Sequence, residues 1–354
     1  MNSEKMRYSR ILLAAMAAIS GCVLNEPLTQ NDSIAAIGCE DCGSNTAIFF
    51  GFSLHELALN KKPNEQGIRL LGALDHLGHP VELVVENDVL LGKAAKATIA
   101  QPLEVHAKLI VSVPTKKGHK VVEIEITEIA ATNYWVDNFS YDRVSYRMSY
   151  DWSSDKGTIK EEICPEFVEQ FDLPEELTPS NPIRLPDYHF VVFVGDRYDF
   201  KTKTIAVKEK AAGWLNIACD GSATFKLHST RHTQASSDAT HHTTRAERQA
   251  LLNMYFANYC GDSTVNTVTG HPLHYAVDSG WFDNFYGGGP FLDGVDTVEA
   301  IWDENGAVCL KEPRLADVAY EDVKCGGQLI PVCTQRMIAR WQDHGHVLSG
   351  NPPL

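Results

Sequence analysis

Long hydrophobic runs are scarce near the N-terminus of this sequence, and positive charge is scarce throughout. The first apolar run extends only from Ile11 to Ile19, whereas a membrane-spanning helix needs about 20 apolar residues. We therefore predict no transmembrane anchor. The chain has 31 Lys and Arg against 46 Asp and Glu, a net charge of -15. A chain this acidic offers no broad basic surface to a phosphate backbone, so nucleic acid is not expected as a partner.

The sequence also lacks the motifs of common nucleotide, calcium and zinc sites. A glycine-rich phosphate loop should lead into a helix, but Gly287–Gly289 is followed by Pro290. His55 begins a zinc-protease pattern that fails at Leu59, where the second ligand is required. We predict neither a cofactor nor a metal ion.

The spaced histidines are a further candidate for metal ligands. His228 and His232 are four residues apart, and on a helix they could share a metal ion. Their neighbours are mostly Ser and Thr, so we favour a solvated loop with incidental histidines. His271 and His274 receive the same interpretation.

The first 22 residues have the layout of an export signal. Lys5, Arg7 and Arg10 precede the apolar run, and Ile19-Ser20-Gly21-Cys22 ends it. This ending resembles the lipobox of bacterial lipoproteins. The resemblance implies cleavage before Cys22 and acylation of its thiol and its new amine, which anchors the protein stably in a membrane. The alternative is an ordinary signal peptide with a chance cysteine.

The residue after Cys22 indicates the destination. It is Val23, whereas lipoproteins retained in the inner membrane of Gram-negative bacteria have Asp there. The resemblance therefore implies the outer membrane, with the body facing the periplasm or the cell surface. Loss of residues 1–21 removes three cations and one anion and leaves a net charge of -17. Anionic headgroups repel such a body, so we expect the lipid to hold it rather than a basic patch.

The nine cysteines become an even set once Cys22 is lipidated. Eight thiols in an oxidising compartment predict up to four disulfides, among about 105 pairings that sequence cannot separate. Spacing favours Cys39 with Cys42 and Cys325 with Cys333, in preference to a redox or zinc site. The other candidates are Cys164, Cys219, Cys260 and Cys309.

Composition and periodicity predict a folded, mainly β protein. The chain is 44% hydrophobic and 22% charged, and its 354 residues suggest two domains. Apolar and polar residues alternate over 122–127 and 144–152, which predicts antiparallel strands. The denser runs 109–113 and 190–194 are typical of strands covered on both faces. Most of 45–230 is therefore predicted to be antiparallel β.

Two short helices are predicted in the C-terminal part. Thr244 and Glu247 have the spacing of a capping box, and the helix behind them extends to about Tyr259, with Gly261 as its left-handed cap. A second helix begins at Thr334. The predicted fold class is α+β, mainly antiparallel β, stabilised by disulfides.

The acidic, proline-bearing segment 165–186 is the best candidate for a domain boundary. Strands on its two sides can still belong to one sheet. The predicted organisation is a signal peptide (1–21), a lipidated cysteine with a polar tether (22–44), a β-rich domain (45–160) and a cysteine-rich domain (161–354).

Short motifs of the C-terminal half occur in a characteristic order. Their residues are Ala257, Asn258, Tyr259, Cys260, Gly261, Trp302, Gly306 and Cys309. This order resembles the ADYC domain, a family of cysteine-rich exported proteins, largely myxobacterial, over about residues 160–340. Asn258 stands where the family has Asp. The resemblance implies a disulfide-stabilised, exported fold and supplies no catalytic residues.

The chain also departs from the family at two cysteines. Leu227 and Leu251 stand where the family has them, and the resemblance implies that an apolar contact replaces a bridge. We interpret Tyr259 and Trp302 as core residues, and Asp303–Gly306 as a hairpin turn with Asn-Gly at its centre.

We expect a non-catalytic role, either binding an envelope protein or glycan or structural. The alternative is a serine esterase, because Gly261-Asp262-Ser263 resembles the nucleophile block of GDS-type esterases. Asp343 with His344 or His346 would complete the relay. Against this, Ser263 follows a helix rather than the first parallel strand of an α/β fold.

Overall fold

A computed structural model describes the chain in the following ranges: 28–29, 47–49, 52–115, 118–132, 143–154, 157–164, 188–206, 213–235, 242–267, 273–277 and 298–350. Its strands are β1 Leu28–Thr29, β2 Ile48–Phe49, β3 Phe52–Ser53, β4 Glu56–Ala58, β5 Arg69–Leu74, β6 Pro80–Glu86, β7 Val89–Lys93, β8 Gln101–Pro102, β9 Lys108–Thr115, β10 Gly118–Thr132, β11 Arg143–Ser154, β12 Gly157–Glu162, β13 Phe190–Val194, β14 Tyr198–Asp199, β15 Thr204–Ile205, β16 Trp214–Cys219, β17 His274–Val277, β18 Val298–Asp303, β19 Gly306–Leu310, β20 Lys324–Cys325, β21 Gln328–Leu329 and β22 Val347–Gly350. Its helices are α1 Ala223–Ser229, α2 Arg245–Phe256 and α3 Gln335–Ala339. The predicted mainly antiparallel α+β class is confirmed.

Most of the described chain before residue 220 forms one large sheet. Its main strands have the order β4-β16-β13-β11-β10-β9-β5-β6-β7-β8, while β1 and β12 pair with β11. Among these described strands, only β1 pairs in parallel with its neighbour. Because β13 also contacts β6 and β7, the sheet curls around an apolar core, here called core 1. The largest fully buried side chains of core 1 include Phe49, Leu54, Leu57, Ile68, Leu90, Tyr146 and Phe190.

The predicted strand patterns match the burial. On β10, Val122, Ile124 and Ile126 are buried, whereas Glu123 and Glu125 between them are partly exposed. A strand presents successive side chains to opposite faces, so this alternation places one face of β10 on core 1.

The strand β13 is covered on both faces, as its dense apolar run predicts. Phe190 and Val192 face core 1, and Val191 and Phe193 face a second core, called core 2. The largest side chains of core 2 include Phe193, Tyr198, Phe225, Tyr259 and Trp302. The boundary predicted at 160/161 falls inside β12, which belongs to the same sheet as β13, so the two predicted domains share that sheet.

Helices α1 and α2 lie over β13 and β16, and a small sheet covers α2 on its other side. The small sheet has the order β17-β22-β18-β19, and α2 contacts β18, β19 and β22. The opposite face of the small sheet packs against α3 in core 3. Core 3 consists of Ala276, Val298, Ile301, Cys309, Cys333, Ile338, Trp341 and Leu348.

The start of α2 is as predicted, but its end is not. The Thr244 hydroxyl accepts a hydrogen bond from the Glu247 amide at 3.1 Å. The helix ends at Phe256, and Ala257, with φ 47°, is the left-handed cap in place of Gly261. Asn253 and Met254 accept the amide of this cap, so the last carbonyls are satisfied one turn earlier than expected.

The structure contains one helix, α1, that the sequence did not predict, and it confirms the predicted helix α3. α1 lies inside the segment interpreted as β, where Ser222 caps it by accepting the Phe225 amide at 3.1 Å. α3 begins after Thr334, as predicted, and the Thr334 hydroxyl accepts the Met337 amide at 3.2 Å.

Three disulfides connect the described cysteines. Cys164 bonds Cys219, Cys260 bonds Cys325, and Cys309 bonds Cys333. The predicted Cys325–Cys333 pair is wrong. Segment 331–333 runs beside Leu310 of β19 and brings Cys333 to Cys309 instead. Cys39 and Cys42, the other predicted local pair, lie outside the described residues.

Candidate functional site

The motif residues 257–261 lie at a close junction between the end of α2 and the β18–β19 hairpin. A Cβ atom on Gly261, which has φ 64°, would lie 2.0 Å from the Asn305 carbonyl oxygen. A Cβ atom on Gly306, with φ 131°, would lie 2.5 Å from the Tyr259 carbonyl oxygen. Only glycine permits both the positive φ and this backbone approach. The two motif glycines therefore let two backbones pack directly.

The hairpin turn differs by one residue from its prediction. Asp303 pairs with Gly306, so Glu304 and Asn305 are the central residues, and Gly306 closes the turn. The Asp303 carboxylate accepts the Asn305 amide at 2.7 Å. The expected turn is present, but Asn-Gly is not its centre, because the Gly306 position is set by contact with Tyr259.

A buried ion pair lies beneath this junction. The Glu299 carboxylate accepts a hydrogen bond from Arg314 Nη2 at 2.9 Å and from the Tyr259 hydroxyl at 2.7 Å. Glu299 is 0% exposed and Arg314 is 5% exposed. Arg314 also donates to the Met254 carbonyl at 2.8 Å, at the end of α2. The pair thus connects β18, the segment after β19 and α2, at a depth where an unpaired charge would be strongly unfavourable.

The aromatic side chains of the motif belong to the core, as predicted. Tyr259 stacks on Trp302 with ring centroids 5.3 Å apart, and both side chains are buried. Trp302 Nε1 donates to the Ser349 hydroxyl, which donates to Glu299. Burial, followed by the negative charge of Glu299, raises the pKa of Tyr259 well above its usual range. The Tyr259 hydroxyl is therefore a neutral hydrogen-bonding group rather than an acid or base.

Asn258 replaces the Asp of the family motif. It is one of three buried side-chain amides, with Gln249 and Asn253, that bond to one another. Its Oδ1 accepts the Ser263 amide at 3.1 Å, which an Asp carboxylate could do equally. Its Nδ2 donates to Asn253 Oδ1 at 3.3 Å, and Gln249 donates to the same oxygen at 3.1 Å. A carboxylate has no such donor. The substitution therefore fits the Asn253 side chain of this chain.

The apolar replacement implied at the two missing family cysteines fits the structure. Leu227 on α1 and Leu251 on α2 are both fully buried in core 2. The two helices contact each other. Apolar packing of these two leucines therefore stabilises the region where the family resemblance implies a disulfide.

The interpretation of His228 and His232 as solvated loop residues is wrong. His228 lies on α1 and stacks on Phe193 with centroids 4.3 Å apart, and its Nε2 is 3.2 Å from Asp88 Oδ2. His232 is 0% exposed, and burial lowers its pKa to about 4. The Ser and Thr residues around these histidines did not indicate their burial, because that burial depends on α1 and on the distant β6–β7 turn that carries Asp88. His271 and the side chain of His274 lie outside the described residues.

Lys226 is a notable amine in this region that the sequence did not single out. Its Nζ lies 5.8 Å from the centroid of the Tyr255 ring. Burial, and next the charge of Arg314, lower its pKa to about 8. A lysine with a partly neutral amine at pH 8 is chemically more nucleophilic than an exposed one.

An open apolar groove lies between β7–β8 and β10–β11. Its volume is about 450 Å³, and Val89, Leu103, Ile129, Val144 and Tyr146 contribute to its lining. The Tyr146 hydroxyl accepts the Leu90 amide at 2.9 Å, which holds the two sides together. Burial raises the pKa of Tyr146 to about 12, so it stays neutral. The groove can take an apolar group, and Glu104, whose Oε2 lies 3.5 Å from His76 Nδ1, is the one carboxylate among the residues described as lining it.

The residues of the esterase alternative have other partners. Ser263, with φ 79°, is tied through its amide to Asn258. Asp343 pairs with Arg340, and His346 Nε2 lies 3.8 Å from Glu304. The contacts of Ser263 and His346 both lie near the 303–306 turn, which packs on Gly261, and the Asp343 contact lies just after α3. None of these three contacts joins the Ser263 hydroxyl to an imidazole.

Metal clusters and membrane-spanning helices are both absent from the described ranges. In those parts of the chain, no three His, Cys, Asp or Glu side chains converge as metal ligands would. The helices of the same parts are too short or too polar for any of them to cross a membrane.

Comparison with known proteins assigns the family. The family model of the ADYC domain matches residues 106–316. Searches of curated proteins and of solved structures found no match. The matched segment starts earlier than residue 160, just before β9, so it includes central strands of the large sheet as well as α1, α2 and the β18–β19 hairpin. Because the match covers more than half of the chain, this protein belongs to the ADYC domain family.

Proposed function

We propose that this protein is an outer-membrane lipoprotein whose disulfide-bonded body has a non-catalytic role, binding or structural, at the cell envelope. One observation carries the proposal: Ile19-Ser20-Gly21-Cys22 follows a short apolar run and three basic residues. Acyl chains on Cys22 would supply the membrane attachment, since each buried methylene contributes roughly 0.8 kcal/mol.

The internal use of the motif side chains supports the non-catalytic part. Tyr259, Glu299 and Arg314 are buried and bond to one another. They stabilise the junction of α2 with the small sheet, where a substrate would have no access without unfolding. The groove between β7–β8 and β10–β11 offers mainly apolar contact, and its one described carboxylate, Glu104, lies beside His76.

Replacement of Cys22 tests the anchor. Cys22→Ser should move the protein from washed membranes to the soluble fraction, because the acceptor thiol is lost. Asn25→Ala, a nearby polar change that leaves the cysteine, is the control and should stay on the membrane. Retention of Cys22→Ser in washed membranes would contradict the proposal.

The destination and the role need separate measurements. Val23→Asp should shift the protein to the inner-membrane fraction if the outer membrane is its normal destination. The purified body should not hydrolyse a panel of acyl esters. Ester hydrolysis that disappears in a folded Ser263→Ala variant would show an enzyme instead of a binding or structural protein.

A further inference from the structure

The amine of Lys226 lies near an aromatic ring instead of beside a carboxylate. Lys226 is on α1, and its Nζ is 5.8 Å from the centroid of the Tyr255 ring on α2. Among the residues that the structure describes, neither a hydrogen-bond acceptor nor a carboxylate is paired with this nitrogen. An aromatic face attracts an ammonium group but offers no lone pair to its three N–H donors. The residue is partly exposed, so its side chain is not sealed from solvent.

The Tyr255 ring is held firmly in place beside the amine. Its hydroxyl donates to the Tyr275 hydroxyl at 2.7 Å, and the two rings meet edge to face with their centroids 5.7 Å apart. Both tyrosines are buried. A group bonded to the Lys226 nitrogen therefore meets a preformed aromatic wall.

A second lysine shows what Lys226 lacks. Lys203 also has its amine near an aromatic ring, with Nζ 5.1 Å from the centroid of Phe256. That amine donates to the Phe200 carbonyl, however, and the residue is only 2% exposed. The Lys203 amine is thus hydrogen-bonded and closed to reagents, whereas Lys226 is partly exposed and has only the ring.

The charges near Lys226 favour the neutral form of its amine. Arg314 repels the ammonium more strongly than Asp220 attracts it, and the buried Glu299 is bonded to Arg314. Burial, and next Arg314, lower the pKa of Lys226 from 10.5 to about 8. At pH 7.5 an amine with a pKa of 8 is about one quarter neutral, whereas one with a pKa of 10.5 is about 0.1% neutral.

We propose that Lys226 captures small aldehydes as a reversible imine. The neutral Nζ attacks the carbonyl carbon, protons move from nitrogen to the carbonyl oxygen, and that oxygen leaves as water while a C=N bond forms. No electrons are gained or lost overall, so the reaction needs no oxidant or reductant. The protonated imine has the same charge as the ammonium group, and the Tyr255 face stabilises it in the same way. This modification site does not depend on the lipid anchor.

Reductive trapping tests the capture of aldehydes. The purified full-length protein, with its disulfides intact, is incubated near pH 7.5 with butanal and cyanoborohydride, which converts each imine into a stable butyl-lysine. Peptide mass mapping gives the initial rate at each lysine. The exposed Lys160 and Lys324 are the references. We expect Lys226 to react at least about fivefold faster, which is less than the ratio of neutral fractions because nucleophilicity falls with basicity, as it does among thiols.

A second probe separates an amine of lowered basicity from one that is merely accessible. Trace acetylation with acetic anhydride, which reacts with neutral amines, is measured from about pH 6.5 to pH 10. The rate at Lys226 should level off above about pH 8, whereas the rates at Lys160 and Lys324 should continue to rise. Lys226→Arg, which keeps the charge, should lose the fast butylation and retain the slow reactions of the other lysines.

The decisive comparison is made within the unchanged protein, so it does not require a variant to fold. Equal butylation rates at Lys226, Lys160 and Lys324 would overturn the proposal. Butylation of Lys226 only after unfolding in urea would overturn it as well, because the amine would then be closed to aldehydes in the native fold.

Discussion

At the scale of single residues, Gly306 has one of the strictest requirements in the described chain. Its φ is 131°, and the position that an alanine methyl group would occupy lies 2.5 Å from the Tyr259 carbonyl oxygen, so both features exclude a side chain. Gly306→Ala should lower the free energy of unfolding by roughly 2–4 kcal/mol, through backbone strain and overpacking. Urea unfolding with the disulfides intact measures this.

A matched control separates strain from contact. Gly78 also has a positive φ, 83°, but nothing lies within 4 Å of its added Cβ. Gly78→Ala should cost only about 1 kcal/mol, which is the strain alone. Equal effects of the two substitutions would show that the close approach at Gly306 is unimportant.

Also at this scale, His55 should make stability depend on pH. Its Nε2 donates to the Tyr198 carbonyl, and its Nδ1 lies 2.6 Å from the Ser53 hydroxyl, so both nitrogens are used in the neutral form. Burial lowers the pKa of His55 to about 4 from its ordinary 6.5. Between these pH values the unfolded chain binds the proton and the fold does not, so stability falls as pH falls from 6.5 to 4.

The expected size follows from the pKa difference. His55 should account for about 3 kcal/mol of the loss across that pH range. Urea unfolding at pH 4 and pH 7 should show a correspondingly smaller loss for His55→Gln than for the unchanged protein. His79→Gln, an exposed control, should leave the pH dependence as it was. A His55→Gln variant with the full loss would disprove the role of His55.

At the scale of elements, the sequence correctly predicted the strands and the helix start that depend on residues close together in the chain. β10 and β13 follow from periodicity, since each alternation records which faces are covered. The start of α2 follows from Thr244, whose side chain caps its own helix. α1 was missed because its short sequence contains Thr and Phe and follows a strand closely, and because its stability comes from burial between β16 and α2.

Contacts distant in sequence explain the other errors at this scale. Cys325 and Cys333 are close along the chain, but β20–β21 and the segment beside Leu310 take them to different partners. The Glu299–Arg314 pair had no signal in either local sequence, because it depends on β18 and the segment after β19 meeting at the end of α2. Tyr259 and Trp302 were correctly interpreted as core residues, but nothing in either local sequence indicated that they stack on each other.

At the scale of the whole molecule, one strand connects the two main cores. Phe190 faces core 1 and Phe193, on the same strand β13, faces core 2. The Cys164–Cys219 disulfide adds a covalent tie between the segment after β12 and β16. Because β13 contributes side chains to both cores, its unfolding would expose both of them to water. We therefore expect the described body to unfold as one cooperative unit.

Substitution on the two faces of β13 tests this unity. Phe190→Ala and Phe193→Ala should each cost about 3–5 kcal/mol by leaving a cavity, and each should shift a single transition seen alike by tryptophan fluorescence and far-ultraviolet circular dichroism. Val121→Ala, at an exposed position of β10, should shift it little. Two separate transitions, with each phenylalanine variant moving only one of them, would instead show that 45–160 and 161–354 fold as independent domains. A single shared transition would mean that the proline-bearing segment 165–186 interrupts the sequence without dividing the fold, because the strands on its two sides complete each other's core.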